Sequence, residues 1–437
     1  MNRIKKFFLS LKKKNSELAV SNQRGVALML ALSSVVFIMY LVNEVSYETN
    51  VEYIVYSQSV NRLKSYYAAR SGMELSLLRI KIYTQVYSQL ASTMKDQAGM
   101  MDMIWSMPWA WPPVMPPDLS AVDKDMIKKF TKESKMEAQY MATIEDEGSK
   151  IDLNDLNSAS KPLIESTKTQ LINIFTSKMQ NDQDWARNNR DLRPEEVVNN
   201  IADWMTRSSQ SLNGGSKSAG YKDLGAGFPP NRAFRSVGEL RLVAGMTDDI
   251  YNLLESKVTV FGMKSINPNH VSAEIIESLD PAITPEIAKI VVARRDSPQL
   301  GGPYKDAQDF WSYVAAKGAQ VNPEAEKKIP ITVDNAMSFK IHTVGEYGKT
   351  SSEITAIVYD IQNVTRQLYK SLALQQQQQN QLNGVNNGNN NGTGTGTGTG
   401  TGSGNQNNNN NGNNTPPPPP PAPPAKGPPR IVYWSEK

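Results

Sequence analysis

Residues 23–43 read QRGVALMLALSSVVFIMYLVN, and this stretch decides how the chain is organised. The 18 residues from Val26 to Asn43 carry no charge. At about 1.5 Å per residue, a helix of that length extends over roughly 27 Å, just enough for a hydrocarbon core of about 30 Å. The stretch therefore predicts a single transmembrane helix.

The charges on either side of this run predict its orientation. Residues 1–25 contain seven Lys or Arg residues and one acid, Glu17, whereas Glu44 is the first charged residue after the run. The positive-inside rule places such an N-terminus in the cytoplasm and the body of the chain on the other side of the membrane. Since no small-residue cleavage site of the secretory type closes the run, we expect an anchor rather than a removed secretory signal.

Composition narrows the possible chemistry. The 437 residues include 47 Lys or Arg, 43 Asp or Glu, two His and no Cys, which excludes thiol nucleophiles, Cys-based zinc sites and disulfides. Beyond residue 25 the acids and bases nearly balance, so the body is not expected to bind polyanions. Neither His270 nor His342 lies in a catalytic or metal-binding motif, and we predict that the chain is not an enzyme.

The apolar run continues into a long helical pattern. From Glu44 to about Ala98 there is no proline and one glycine, Gly72, which predicts one helix extending beyond the membrane. Its expected packing stripe combines apolar and charged positions at helical spacing: Leu63, Tyr66, Tyr67, Arg70, Met73, Glu74, Leu77 and Leu78.

The rest of the chain divides by pattern. Residues 101–118 are rich in Trp, Met and Pro, which predicts a loop. Its tryptophans, Trp105, Trp109 and Trp111, are expected to pack internally, with a partner-binding patch as the alternative. Alternation predicts a strand around residues 138–144 and a hairpin over 338–360 with its turn at Gly345–Gly348, while residues between them are mostly helical.

The C-terminal tail has a different composition. From Gln375 onward the sequence is rich in Gln, Asn, Gly, Thr and Pro, which predicts disorder. The final apolar group at 431–434, IVYW, is either a short docking motif or without a role. The glycines of 214–227 have the wrong spacing for a phosphate-binding loop and predict a flexible loop.

Four motifs in order resemble the protein K family of type II secretion minor pseudopilins. They are DEGSKIDLNDL (146–156), IADW (201–204), RSVGELRLVAGMT (235–247) and SINPNHVSAEII (265–276). The junction QRG before the apolar run is similar to the leader of type IV prepilins and pseudopilins. The resemblance covers about residues 20–365 and is specific because the motifs occur together.

This resemblance implies an α+β, pilin-like fold. A long N-terminal α-helix would pack on an antiparallel sheet, with a large inserted all-α SAM-like domain and a disordered C-terminal tail. The repeated phrases IDLNDLNSA (151–159) and INPNHVSAE (266–274) suggest that the insert is built of similar units, with Asn154 and Asn269 capping turns. The implied boundaries are leader 1–25, transmembrane helix 26–43, periplasmic helix 44–98, loop and first strands 99–155, insert 156–335, last strands 336–372 and tail 373–437.

The resemblance also implies how the N-terminus is used. A prepilin peptidase would cut after Gly25, and the mature, methylated chain would begin at Val26. Most relatives carry a glutamate five residues into the mature chain, whereas this chain has Leu30. That substitution is typical of the subunit at the tip of the pseudopilus.

The function implied is a non-enzymatic assembly and capping subunit that supports protein export. The expected partners are other minor pseudopilins, the major pseudopilin, prepilin peptidase, the inner-membrane secretion platform and secreted substrates, with no nucleic acid. The expected location is the inner membrane, crossed once, with the body in the periplasm. Alternatives are a type IV pilus minor pilin, a membrane-anchored helix-hairpin-helix protein of DNA uptake, and a single-pass periplasmic scaffold.

Two further expectations concern sites in the insert. Family members bind calcium there, and Asp203 is the best candidate ligand, although DWMTRSS stands where the family has further aspartates. The stretch 266–296 resembles helix-hairpin-helix units, but its hairpin, residues 280–285, lacks both of their phosphate-binding glycines. We therefore expect that hairpin to serve packing rather than DNA binding.

Overall fold

The fold is seen in a computed structural model, which describes residues 2–90, 98–115, 120–225, 227–333, 336–361, 364–366, 368–369, 372–373 and 429–437. The helices are α1 (Asn2–Leu90), α2 (Ala98–Ser106), α3 (Ala121–Glu133), α4 (Lys161–Asn181), α5 (Gln183–Asn188), α6 (Pro194–Met205), α7 (Asp248–Glu255), α8 (Ala273–Ser278), α9 (Pro285–Arg295), α10 (Ala307–Ala316) and α11 (Pro323–Lys328). The strands are β1 (Trp109–Trp111), β2 (Gln139–Asp146), β3 (Ile151–Asp152), β4 (Val258–Thr259), β5 (Ser338–Tyr347), β6 (Thr350–Tyr359) and β7 (Arg430–Glu436).

A five-stranded antiparallel sheet packs on the long helix α1, as the sequence predicts. The strand order is β1-β2-β5-β6-β7. The predicted hairpin is confirmed as β5 and β6, which pair from Ser338 with Tyr359 to Tyr347 with Thr350. Its turn is shorter than expected, because Gly348 alone supplies the positive φ, of 61°, and Gly345 lies within β5.

The buried face of α1 differs from the predicted stripe. Leu63, Tyr67 and Leu78 are at least half exposed. Small residues and a few larger ones form the face against the sheet instead: Ser65, Ala68, Ala69, Met73, Ser76, Ile80 and Tyr83. Large apolar side chains did not predict the buried face correctly, because at its centre the helix and the sheet approach too closely for them.

Gly345 makes this close approach possible. A Cβ atom at that position would stand 2.1 Å from the carbonyl oxygen of Ser65 and 2.3 Å from the backbone nitrogen of Ala69. Gly72 plays a similar part on the helix, since a Cβ there would lie 2.7 Å from the ring of Tyr140. Helix and sheet therefore meet backbone to backbone.

The predicted loop at 101–118 begins as the end of a helix. Residues 98–106 contain no proline, and the first one, Pro108, follows α2 directly. Trp105 is buried against Phe339, with ring centroids 5.4 Å apart, which confirms packing for that residue. Trp109 and Trp111 lie in β1, at an edge of the sheet, and Trp109 is exposed.

The insert has a core of its own, centred on Trp204, which stacks on Phe234 with ring centroids 5.5 Å apart. It is mostly helical, as predicted, but it is not all-α. The short strands β3 and β4 pair in parallel, from Ile151 with Val258 to Asp152 with Thr259. This pair ties the start of the insert to its middle, and likeness to SAM domains stays a prediction.

The repeated phrases have the same structural role in both halves of the insert. Asn154 Oδ1 accepts the backbone N–H of Phe234 at 2.8 Å, and its Nδ2 donates to the same residue's carbonyl at 3.2 Å. Asn269 does the same with Tyr304, at 2.8 and 2.9 Å. Each amide thereby fastens one unit to a segment far along the chain.

The predicted capping role therefore belongs to other residues. Asp152 accepts the N–H of Asn154 at 2.9 Å, and Asn267 accepts the N–H of Asn269 at 3.0 Å. The cap lies two residues before the expected position, which leaves each asparagine amide free to reach across the unit.

The last residues of the chain differ from the predicted disordered tail. The tail was expected over 373–437, yet β7 pairs antiparallel with β6, from Ile354 with Glu436 to Tyr359 with Arg430. The apolar, β-branched and aromatic residues at 431–434 suit a strand, and the edge of β6 offers unpaired backbone groups. Residues 374–428 of the predicted tail lie outside the described residues.

His270 joins the insert to the pilin-like body. Its Nε2 lies 3.0 Å from Oδ2 of Asp102 on α2, and its Nδ1 lies 2.9 Å from Oδ2 of Asp146 at the end of β2. Burial lowers the pKa of His270, but the two carboxylates outweigh burial and raise it to about 10. A doubly protonated ring thus bridges two acids that lie on the body.

We predict that Gly345→Ala destabilises the protein by about 1–3 kcal/mol, because the added methyl group collides with the backbone of α1. Thermal unfolding of the full chain in detergent measures the loss. Gly238→Ala is the matched control, since its Cβ would meet nothing nearer than 3.8 Å and should leave stability unchanged. Equal melting temperatures for the Gly345 variant and the wild type would contradict the close approach.

We also predict a pH dependence that belongs to His270. Because its pKa rises from about 6.5 in the unfolded chain to about 10 in the folded chain, its stabilising charge is present below pH 6.5 and is lost as pH rises through 10. Stability should fall by at most about 1.4 kcal/mol per pH unit in this window.

Variants of the two histidines test this pH dependence. His270→Gln should be less stable at pH 6 and should lose this part of the pH dependence. His342→Gln should keep the wild-type profile, because His342 lies on β5 with its side chain 41% exposed. Parallel profiles for wild type and His270→Gln would contradict a charged joint.

Candidate functional site

The predicted processing junction lies inside α1. Gly25 is a helical residue with no contact, since a Cβ atom there would meet nothing within 4 Å. Glycine in a helix interior costs about 1 kcal/mol relative to alanine. Nothing in the described part of the chain requires glycine here, and its neighbour Val26 is 57% exposed.

The apolar run after the junction is uncovered. Residues 26–43 are exposed along their whole length, and Leu30 is 64% exposed. By length and composition, α1 is the one helix in the described part of the chain that could cross a membrane. The run contains no acid, so Leu30 lies in an uncharged and largely apolar surface.

The helix stays uncovered beyond the run. We call residues 26–63 of α1 the assembly segment, because the sheet begins to cover the helix only at Lys64 and Ser65. Its second half exposes large side chains on several sides: Val45, Tyr47, Val51, Tyr53, Ile54, Val55, Tyr56, Val60 and Leu63. An apolar surface of this extent on one chain marks a place for membrane or protein contact.

Asp203, the predicted calcium ligand, is buried in the last turn of α6 and 2% exposed. Both of its carboxylate oxygens accept the backbone N–H of Leu212, at 3.2 and 3.1 Å. The following loop contributes no second carboxylate. Among the described residues, no three His, Cys, Asp or Glu side chains lie together as a metal site would need.

A lysine binds the oxygen atoms of the loop that follows α6. Lys217 Nζ donates to the carbonyls of Thr206 (2.5 Å) and Ser208 (3.2 Å). It also donates to Oγ1 of Thr206 (3.0 Å) and Oδ1 of Asn231 (2.8 Å). As folded here, the residues around Asp203 do not fit calcium. The expected flexible loop also differs here, since residues 217–224 form a helical turn with Lys217 and Tyr221 buried.

The acidic segment at 145–155 is paired with bases. Glu147 forms an ion pair with Lys150 at 2.8 Å, and Asp152 and Asp155 both bind the ammonium of Lys264, Asp155 at 2.8 Å. Burial and the neighbouring Asp152 raise the pKa of Asp155 to about 7. These acids hold the start of the insert together rather than forming an open cation site.

The two arginines that follow the hairpin at 280–285, Arg294 and Arg295, are both engaged within the insert. Asp280 accepts the backbone N–H of Ala282 at 2.8 Å, which closes the turn. Arg294 forms a two-pronged pair with Asp309 at 2.7 and 2.8 Å. Arg295 binds Asp296 at 2.8 Å and the carbonyl of Val271 at 2.6 Å. Both nearby arginines therefore serve the packing of the insert.

Three of these residues carried no signal in the sequence. Lys217 and Lys264 lie outside the four motifs, and His270 lies in SINPNHVSAEII with no role predicted for it; their partners are between 9 and 168 residues away. Only their surroundings in the fold give them a role. The predicted residues Gly25, Val26 and Leu30 lie together on α1, far from Asp203 in sequence and in a different part of the fold.

Comparisons with known proteins identify the insert. Two family models described as type II secretion system protein K match residues 149–263 and 266–332. A similar solved structure is the GspK-GspI-GspJ complex from the enterotoxigenic Escherichia coli type 2 secretion system. One of its chains is 18% identical over 71% of this chain and 95% of its own, with a TM-score of 0.46. No curated protein matches the chain.

The two family matches follow the structural units. The first begins just before β3 and ends after β4, and the second covers the unit fastened by Asn269. The motifs that resemble protein K lie in or next to these matches, in the same order. Over residues 149–332 the chain therefore matches the type II secretion system protein K family.

Proposed function

We propose that this protein sits at the tip of the type II secretion pseudopilus as a non-enzymatic capping subunit that supports protein export. The proposal is carried by one observation, an uncovered assembly segment on a chain whose insert matches protein K. The family is a structural component of a secretion system, which supports an assembly role over catalysis.

The first step of this function is removal of the leader. A prepilin peptidase cuts between Gly25 and Val26, and the new N-terminus is methylated. Support comes from the glycine at position 25, because packing within the chain does not require glycine there. A residue without a side chain suits a peptidase that must hold the extended backbone, so the constraint on this position comes from outside the chain.

The second step is assembly in the membrane. The chain crosses the inner membrane once through residues 26–43, with the N-terminus in the cytoplasm and the body in the periplasm. The assembly segment then packs on helices of the major pseudopilin and the other minor pseudopilins. Its exposed side chains support this, because large apolar residues recur among the polar ones for some 20 residues beyond the run that fills the bilayer.

Leu30 restricts the chain to the tip. A subunit with an acid at this position can pair with the terminal amine of a neighbour, whereas Leu30 offers only an apolar surface. The insert, residues 149–332, adds bulk to the body and so opposes addition of a further subunit above it. Contacts with the secretion platform and with secreted substrates are part of this proposal.

The alternative function, that of a DNA-uptake protein, has less support. Its hairpin would need free backbone N–H groups and cations, whereas Asp280 closes the hairpin and Arg294 and Arg295 are paired. A type IV pilus minor pilin would share α1 and the sheet. The protein K matches in the insert favour type II secretion over that alternative.

The test uses a strain that lacks the gene and overproduces the major pseudopilin. We expect the wild-type protein to restore secretion and an antibody against the insert to label one end of each filament. Leu30→Glu should lower both secretion and end labelling, because the acid costs about 2.5–3.5 kcal/mol in the membrane and changes the pairing at this position.

Leu30→Ile is the matched control, since it keeps an apolar side chain of equal size, and it should behave as wild type. Labelling along the length of the filaments would contradict a tip subunit. Normal secretion and end labelling by Leu30→Glu would contradict the role of this position.

A further inference from the structure

The Lys217 ammonium lies where four oxygen atoms converge. Two are backbone carbonyls, of Thr206 and Ser208, one is the Thr206 hydroxyl and one is the amide oxygen of Asn231. Their distances from Nζ are between 2.5 and 3.2 Å, and Lys217 is only 5% exposed. An ammonium has three N–H donors, so this group is fully engaged.

These oxygens come from two separate stretches of chain, and the lysine comes from a third. Thr206 and Ser208 follow α6, Lys217 begins the next helical turn, and Asn231 lies beyond it with a positive φ of 52°. The ammonium therefore fixes the path of the loop between α6 and the segment that carries Phe234. Removing its charge leaves four oxygens without their common donor, two of them on the half-buried Thr206 and two on the exposed Ser208 and Asn231.

The donor set is of the kind that cations bind. Carbonyl, amide and hydroxyl oxygens are ligands that calcium accepts, together with carboxylates. Here the neutral oxygens are present but the carboxylates are missing, because Asp203 accepts the N–H of Leu212 with both oxygens. A calcium ion would have to displace the ammonium, which repels it and cannot leave because it is part of the chain.

We propose that Lys217 is the permanent cation of this loop and that the protein holds the loop without calcium. One positive charge on the chain replaces the ion, and the buried Asp203 carboxylate lies nearby as its counter-charge. The loop is then formed as soon as the chain folds, and its stability does not depend on the calcium concentration outside the cytoplasm.

The first experiment measures thermal unfolding of the full chain in detergent, in 5 mM CaCl2 and in 5 mM EGTA. We expect the same melting temperature in both for the wild type. Lys217→Met should lower it by about 3–6 °C in both buffers, because the oxygens lose their donor. Lys222→Met is the control, since Lys222 is exposed in the same turn and should leave stability unchanged.

The second experiment opens the site to the metal. In Thr206→Asp/Lys217→Ala the ammonium is gone and a carboxylate is added beside the remaining oxygens, so CaCl2 should raise the melting temperature and one equivalent of radioactive calcium should bind. Absence of any calcium response in this double variant would show that the cage is not a cation site and would overturn the proposal.

The wild type gives the opposite test. A calcium-dependent melting temperature or bound calcium in the wild type that Asp203→Asn abolishes would also overturn the proposal, because the loop would then hold the ion despite Lys217. Unchanged stability of Lys217→Met would do the same, since the ammonium would not be holding the loop.

Discussion

At Gly345 the backbone of β5 lies against the backbone of α1 with no side chain between them. Ser65 and Ala69 form the other side of this contact, and Gly72 allows Tyr140 of β2 to lie as close one turn further on. Since α1 also carries the apolar run of the N-terminus, this contact fixes the sheet relative to the segment that enters the membrane. Small residues thus determine the architecture, and the large apolar residues fill the space that remains.

The insert is attached to this frame by a charged joint and by a small apolar cluster in which Met263 packs with Met337 and Phe261 packs on Tyr359. Its core around Trp204 is separate from the core between α1 and the sheet. The protonated His270 ring between Asp102 and Asp146 links the two. Buried cations also join segments within the insert. Lys264 binds two buried acids, and Lys217 binds the oxygens of the loop after α6. Buried cations of the chain itself hold distant segments together, as a metal ion does in other small domains.

Much of the fold could be predicted from the sequence, because it depends on local patterns. The uncharged run and the proline-free stretch after it predict α1, and alternation predicts the hairpin of β5 and β6. The order of four motifs predicts the family. These signals come from residues close together in the sequence, so they can be recognised without knowing which helices and strands pack together.

The rest depends on contacts between distant residues. The buried face of α1 was missed because small residues carry no hydrophobic signal, and β7 was missed because a strand of seven residues gains its partner only from the edge of β6. The capping role was assigned to Asn154, whereas Asp152 caps and Asn154 binds Phe234, 80 residues away. Lys217 and His270 have roles that only their partners define.

If this chain is a processed pseudopilin, α1 of the mature protein begins at residue 26 rather than at residue 2. Mass spectrometry of the N-terminus, on protein extracted from membranes of cells with an active prepilin peptidase, tests this processing. We expect an N-methylated chain that starts at Val26, and a Gly25→Val variant that keeps its leader. An intact N-terminus at Met1 in the wild type would contradict it.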